Sequence, residues 1–296
     1  MKIAVFGSDG QLGTDLVAVI RQNGQECVAL TIEDVDITDT PRVENLLNKL
    51  RPHAVVNCAA FHDVGKCEEN SALADAVNRD AVGMLSRLCA TMGAKFLTIS
   101  SDYVFDGTKV EGYTEKDAPN PINHYGVSKL AGERLALDGN PKTFVVRTQS
   151  LYGVTQLRGK GMNFVDLMLK LCKERDELKV DQCRMAPTGT AGLAENIYKL
   201  LASDHYGLYH MSCQGATTWY QFACKIMELI GAKVRVTPVA NDFFPRNFRR
   251  PENSYLINQH LQEVGLDFMP SWEESLRHYL KAKGVLSPSA LQGNQS

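Results

Sequence analysis

The stretch Lys2-Ile3-Ala4-Val5-Phe6-Gly7-Ser8-Asp9-Gly10-Gln11-Leu12-Gly13 decides how this chain folds. Its first residues form an apolar run without polar alternation, the pattern of a strand buried on both faces. Glycines at 7, 10 and 13 follow, and Leu12, Leu16, Val19 and Ile20 then recur at helical spacing. Strand, glycine loop and helix in that order open a βαβ unit. Gly24 is placed to stop the helix, and Cys27-Val28-Ala29-Leu30 supplies a second short strand. Thr40 and Pro41 start a helix whose apolar stripe is Val43, Leu46, Leu47 and Leu50. A strand over 54–58, a helix through about 71–92, a strand over 95–100, a helix over about 124–138 and a strand over 143–147 continue the alternation. Short apolar strands alternating with amphipathic helices predict a parallel sheet covered on both faces, and right-handed crossovers make it doubly wound.

Past residue 150 the rhythm loosens. Helices are expected near 162–173, 190–203, 217–230 and 271–283, with a Pro- and Phe-rich stretch from 238 to 251. Gly207-Leu208-Tyr209-His210-Met211 reads as a late strand that rejoins the sheet, and the polar tail from 284 to 296 as frayed. The expected organisation is α/β. A Rossmann-like dinucleotide-binding domain occupies 1–150, rejoined by the strand near 206–212. Residues 151–296 form mainly a smaller C-terminal substrate-binding lid over the carboxyl ends of the strands, where open α/β sheets bind ligands.

Composition narrows the partners. In 296 residues, 44 % are apolar and 22 % charged, an ordinary globular balance. The 32 basic and 34 acidic residues leave a net charge of -2, so no global field recruits nucleic acid or an anionic membrane. No apolar run approaches the ~18 residues of a membrane helix. The first residues lack a signal peptide's cleavage site. None of the eight cysteines is spaced Cys-x-x-Cys, which suits reduced thiols in a cytoplasmic protein. His53, His62, His205, His210 and His260 have no ligand-like spacing, so no metal is expected.

Gly7, Gly10, Gln11, Leu12 and Gly13 lie where a dinucleotide needs them. Residues without side chains let the backbone approach a pyrophosphate, and the helix N-terminus offers N–H donors and a positive dipole end. At the close of the second strand, where an acidic residue would hold a ribose 2′-hydroxyl, stands Thr31. Its lack of a carboxylate favours NADPH, with NADH as the other candidate. Asp36 and Ile37 are candidates to flank the adenine. Tyr125 and Lys129 share one helix face, and Ser101 ends the strand over 95–100 at the sheet edge that the helix start should meet. For carbonyl reduction, Tyr125 would give the proton and Lys129 would lower its pKa from ~10. Ser101 would hold the carbonyl oxygen as charge develops. Tyr279 and Lys283 repeat the spacing on the last helix without a strand-end partner. Arg246, Arg249 and Arg250, interleaved with Phe243, Phe244 and Phe248, are candidates to grip a diphosphate, with Arg250 first among them.

Together, the glycine loop, Ser101, Tyr125 and Lys129 resemble the extended short-chain dehydrogenase/reductase family. Within it, four stretches resemble the dTDP-4-dehydrorhamnose reductases: Val56-Asn57-Cys58-Ala59-Ala60-Phe61-His62, Ser100-Ser101-Asp102-Tyr103-Val104-Phe105-Asp106-Gly107, Asp181-Gln182 through Ala186-Pro187-Thr188, and Arg250-Pro251-Glu252-Asn253-Ser254. The resemblance implies NADPH- or NADH-dependent reduction of the 4-keto group of a dTDP-deoxy-sugar, dTDP-4-dehydro-L-rhamnose to dTDP-L-rhamnose. It implies Tyr125 as proton donor with Lys129 and Ser101, and Ala59, Ala60, Phe61, Ser100, Tyr125 and Lys129 along the cofactor with the glycine loop, Asp36 and Ile37. Ser101, Asp102 and Arg250 would then meet the nucleotide sugar. It also implies a homodimer and a loosely bound Mg²⁺, which no residue here locates. Ser150 departs from the family pattern, standing where a tryptophan is usual, and Asp63 stands where a small residue is common. Two other classes share these motifs: a non-catalytic cofactor-binding subunit resembling the β subunit of methionine adenosyltransferase, and nucleotide-sugar epimerases.

Overall fold

A computed structural model describes residues 1–155, 161–288 and 290. Its first half runs β1 (Lys2–Phe6), α1 (Gln11–Gln22), β2 (Glu26–Leu30), α2 (Thr40–Leu50), β3 (Ala54–Asn57), α3 (Val64–Glu69) and α4 (Ser71–Asp75). A π turn (Ala76–Asp80), α5 (Ala81–Thr91), β4 (Lys95–Ser101), a 3-10 turn (Asp102–Val104), α6 (His124–Gly139) and β5 (Thr143–Thr148) complete it. The second half adds β6 (Leu151–Tyr152), α7 (Phe164–Leu171), β7 (Glu177–Asp181), β8 (Arg184–Met185), β9 (Thr188–Gly189), α8 (Thr190–Ala202) and β10 (Gly207–His210). It ends with β11 (Thr217–Thr218), α9 (Trp219–Ile230), β12 (Arg235–Val239), α10 (Gln259–Glu263) and α11 (Trp272–Ala282).

Six parallel strands lie in the order β10-β5-β4-β3-β1-β2. The chain steps from β1 outward to β2, then returns past β1 to β3 and grows the other way. That reversal opens a crevice at the carboxyl ends of β1 and β3. Local signals behave as their chemistry requires. Asp39 caps α2, its carboxylate accepting from Arg42 N at 3.2 Å, with Pro41 in the first turn. Asn23 caps the end of α1, and Gly24 follows with φ +70°.

The sheet's two faces bury different sets. Ile3, Val5, Val56, Leu97, Phe144 and Val146 face α1 and α8, while Ala4, Phe6, Val55, Phe96 and Val145 face α2 and α5. The first set continues without a break into Phe222, Ile226, Leu276 and Leu280 of α9 and α11. Both halves thus share one hydrophobic core, and the loosening near residue 150 is a change of rhythm rather than a gap in packing.

Three expectations need correction. The helix through 71–92 is split by the π turn, and α3 precedes it. The bulge exists because Asn78 is held from three sides. Its Oδ1 accepts from Phe61 N at 3.0 Å, and its Nδ2 donates to Phe61 O at 2.9 Å and Ser128 Oγ at 3.1 Å. The second half also contains a parallel pair, β7 with β12, inside what reads as irregular chain, with Pro238 beside Val180. Finally, the start of the tail is packed: Val285, Leu286 and Ala290 rest against the core and Ser287 N donates to Leu229 O at 2.9 Å. Residues 289 and 291–296 of that tail lie outside the described residues.

Candidate active site

The glycine loop caps the crevice at β1. Gly7 has φ +69°, and a Cβ there would lie 2.7 Å from Ala59 N. A Cβ on Gly13 would lie 2.1 Å from Gly7 O, so α1 can seat against the loop only without one. Gly10 begins α1 and provides no side-chain cap, leaving the first-turn N–H groups to serve what sits above them. Gln11 donates to Gly153 O and Thr155 O at 3.0 and 2.9 Å, tying this helix to the chain after β6. A backbone cradle that side chains would fill, closed by an uncapped helix start, fits a dinucleotide pyrophosphate.

Across the crevice, α6 delivers Tyr125 and Lys129. Asn123 Oδ1 caps that helix by accepting from Gly126 N at 2.8 Å. Gly126 lets its first turn press on the 3-10 turn, because a Cβ there would lie 2.0 Å from Tyr103 O. Tyr125 consequently lies edge-on to Tyr103, with ring centroids 5.7 Å apart, and hydrogen-bonds Ser101. Lys129 is only 4 % exposed and donates to Ile99 O on β4 at 2.7 Å. Ser101 Oγ donates to Asp102 Oδ1 at 2.8 Å. Beneath them Glu133 accepts from Arg147 at 2.6 and 2.9 Å and from Ser100 Oγ, a buried network on the same α6 face as Lys129.

Electrostatics follow burial. It pushes the Tyr125 phenol above its ordinary value, the Ser101 hydrogen bond only partly opposing it. The expected lowering by Lys129 is therefore not what governs the phenol, which is held neutral and able to donate. Burial also lowers Lys129 to about 8, against the attraction of Glu133. Asp102 is pushed up to about 6 by burial, with Ser254, Ser101 and Arg250 opposing.

Tyr125, Lys129, Ser100, Ser101 and Asp102 line one cavity of about 430 Å³ with Gly7, Gly10, Gln11, Leu12, Gly13 and Ala60. A second cavity, about 320 Å³, opens beyond Phe164 and Trp219 between α7, β7 and α9. At its mouth Arg250 and Arg246 both reach Asp181 Oδ2, at 3.0 and 3.3 Å. One carboxylate facing two guanidiniums leaves a net positive charge. Arg250 also lies over the Trp219 ring, 5.4 Å from its centroid. The chain carrying both arginines spans the opening. Gln182 N donates to Asn241 Oδ1, and Asn247 Nδ2 donates to Gly65 O at 3.2 Å and Glu69 Oε1 at 3.1 Å on α3.

The sequence matches the RmlD substrate binding domain over residues 1–284. The chain belongs to this family. It is 36 % identical over 275 residues to a dTDP-4-keto-6-deoxy-D-glucose reductase of Streptomyces niveus, covering 92 % of this chain and 94 % of the relative. Among solved structures, a dTDP-4-dehydrorhamnose reductase of Clostridium acetobutylicum superposes with a TM-score of 0.92 at 38 % identity, covering 96 % of this chain and all of that one. A Bacillus anthracis dTDP-4-dehydrorhamnose reductase in complex with NADP gives 0.90 at 36 %, covering 95 % and 100 %.

Other candidates fall outside the cavity lining. Ile37 is buried in the core, and Asp36 is an exposed turn residue accepting from Thr38 N and Oγ1. Ala59 packs toward the core, and the Phe61 backbone is bound by Asn78. Tyr279 and Lys283 both bond the Asp166 carboxylate and so hold α11 to α7, a structural role. Sequence reasoning missed Thr148, Gln149, Asn163, Phe164 and Trp219 in the cavity wall. The first two sit where β5 ends, a position that strand order alone marks as crevice-facing. The other three begin or cap α7 and α9 of the second half, and no local pattern marks them. Among the described residues, no cluster of three or more His, Cys, Asp or Glu side chains could hold a metal, and no helix is long and apolar enough to cross a membrane.

Proposed function

We propose that this chain reduces the 4-keto group of a dTDP-6-deoxy-hexulose with NADPH, converting dTDP-4-dehydro-L-rhamnose to dTDP-L-rhamnose. The observation that carries the reading is the meeting of Ser101, Tyr125 and Lys129 with the glycine cradle around a single cavity. The relatives support it through what their names state they act on, and the Bacillus anthracis structure supports NADP as the cofactor type. Gly7, Gly10, Gln11 and Gly13 would hold the pyrophosphate, and Lys129 the nicotinamide end. Arg42 on α2 reaches Asp34 O at 3.3 Å, beside the turn that closes on Thr31, and is the cation that would meet a 2′-phosphate. Bound NADPH supplies the hydride.

The chain's own residues do the rest. Tyr125 and Ser101 present two hydroxyls to the carbonyl oxygen. As negative charge grows there, the neutral Tyr125 phenol gives up its proton, and the Lys129 ammonium stabilises the phenolate left behind. Arg250, only partly neutralised by Asp181, attracts the diphosphate. The apolar second cavity, walled by Phe164, Met168, Leu178 and Trp219, suits the flat thymine ring. The test follows NADPH absorbance with enzymatically generated dTDP-4-dehydro-L-rhamnose. Tyr125→Phe is expected to lower kcat by roughly 10²–10⁴-fold while NADPH affinity stays within about twofold. Tight NADPH binding without oxidation in the native protein would refute the reading.

A further inference from the structure

The end of β5 carries more unmet hydrogen-bonding capacity than any proton-donor role requires. Gln149, the first residue beyond the strand, is 2 % exposed, yet neither Nε2 nor Oε1 has a partner among the described residues. Its neighbour Thr148 is also buried with Oγ1 unpartnered. Buried polar atoms are nearly always satisfied, so three in adjacent side chains call for a specific cause. The next residue, Ser150, sits at φ +48°, a left-handed conformation uncommon outside glycine, and Thr188 N holds its carbonyl at 3.2 Å. Thr148, Gln149 and Ser150 all belong to the wall of the cavity that contains Tyr125.

Strand order says which end of the site this wall serves. Moving across the sheet from the glycine loop at β1, β3 comes first and then β4, where Lys129 is anchored on Ile99 O. β5 lies one strand farther, ~4.8 Å beyond, with Thr148 the register partner of Ser101. Gln149 therefore flanks Ser101 on the side away from the cradle, which is the substrate's side. A primary amide offers donors and an acceptor together, the complement of a ring hydroxyl.

The geometry points to Gln149 as a specificity-determining residue that hydrogen-bonds a ring hydroxyl of the substrate sugar, with Thr148 Oγ1 beside it. It builds on the reductase reading, which supplies the sugar probe. The test titrates NADPH-loaded protein calorimetrically with dTDP and with dTDP-L-rhamnose. The ratio of the two dissociation constants isolates what the sugar contributes. Gln149→Met, near in shape and without the amide, is expected to narrow that ratio about tenfold. Its affinities for dTDP and NADPH should stay within about twofold, and its thermal midpoint should not fall, because the amide it removes is unpartnered in the fold.

An unchanged ratio overturns the inference. So does a loss of NADPH affinity at unchanged ratio, which would assign the amide to the nicotinamide carboxamide, or a lowered midpoint at unchanged ratio, which would make Gln149 structural. If the methionine variant does not fold, Gln149→Asn, which withdraws the amide by one methylene, replaces it in the same comparison. Reductase activity is judged separately. A narrowed ratio without NADPH oxidation in the native protein removes the reaction but keeps the contact, while oxidation with an unchanged ratio removes only the contact.

Discussion

An alanine at position 126 would place its Cβ 2.0 Å from Tyr103 O and 2.9 Å from Pro121 Cβ. Ordinary carbon–oxygen contact is roughly 3.3 Å, so α6 and the 3-10 turn would have to part by about 1 Å. Neither can yield alone. The obstructing atom is backbone within Asp102–Val104, and α6 is capped at Asn123, which also donates to Arg249 O at 3.0 Å. The separation falls between Tyr125 and Ser101, on opposite sides of that contact. A misplacement of about 1 Å at a reacting centre can lower turnover by roughly 10²-fold. Overpacking adds about 1–3 kcal/mol of destabilisation, or several degrees in thermal midpoint for a chain of this size. The assay compares kcat by NADPH oxidation, NADPH affinity and thermal midpoint for Gly126→Ala and Gly93→Ala. Gly93, at φ +67° with nothing within 4 Å, should lose about 1 kcal/mol from backbone strain and keep its kinetics. Native kcat and midpoint in Gly126→Ala would refute the account of how Tyr125 is seated.

Asp102 gives a pH signature. Its native pKa of about 6 exceeds the unfolded value of 3.8, so its contribution is fully present below about pH 4 and is lost as pH rises through about 6, by at most about 3 kcal/mol. Asp102→Asn should therefore lack that fall in urea-unfolding free energy between about pH 4 and 6, and curves parallel to the native protein would contradict the buried-carboxyl assignment. Arg250→Met should raise KM for the dTDP-sugar by roughly 10-fold or more and leave NADPH affinity unchanged, since charge-assisted bonds contribute about 1.5–3 kcal/mol. An equal loss of NADPH affinity would show that the arginine acts on the whole fold.

The fold of the first half was legible because its strands are buried on both faces and glycine or proline punctuates each transition. The same periodicity could not reveal the π turn, since Asn78 is drawn out of helical register by Phe61 and Ser128, partners 17 and 50 residues away. In the second half, β7 and β12 are short and half exposed, and each depends on the other for hydrogen bonding. The clustering of Ser101, Tyr125 and Lys129 was readable from spacing plus strand order: Tyr125 and Lys129 by the helical repeat, Ser101 by its place at a strand end. Its electrostatics were not. Lys129 was expected to govern Tyr125, but the phenol answers first to burial, a quantity that exists only once Gly126 has let α6 close on Tyr103.

A core shared by both halves also constrains traffic through the crevice. Swinging the second half away as a rigid flap would strip cover from Phe222, Leu276 and Leu280, and exposing even ~400 Å² of apolar surface costs about 10 kcal/mol. By contrast, the chain at the mouth of the second cavity is fastened by separate polar contacts, each contributing about 1–3 kcal/mol: Asn247 to Gly65 O and Glu69 on α3, Asn123 to Arg249 O, and Arg246 and Arg250 to Asp181. Those fastenings are local and can be altered one at a time, whereas resistance to heat resides in the packed interior. Surface fastening and thermal robustness are thus separately adjustable: altering Asn247 loosens one tie of that chain to α3 and leaves the shared core intact.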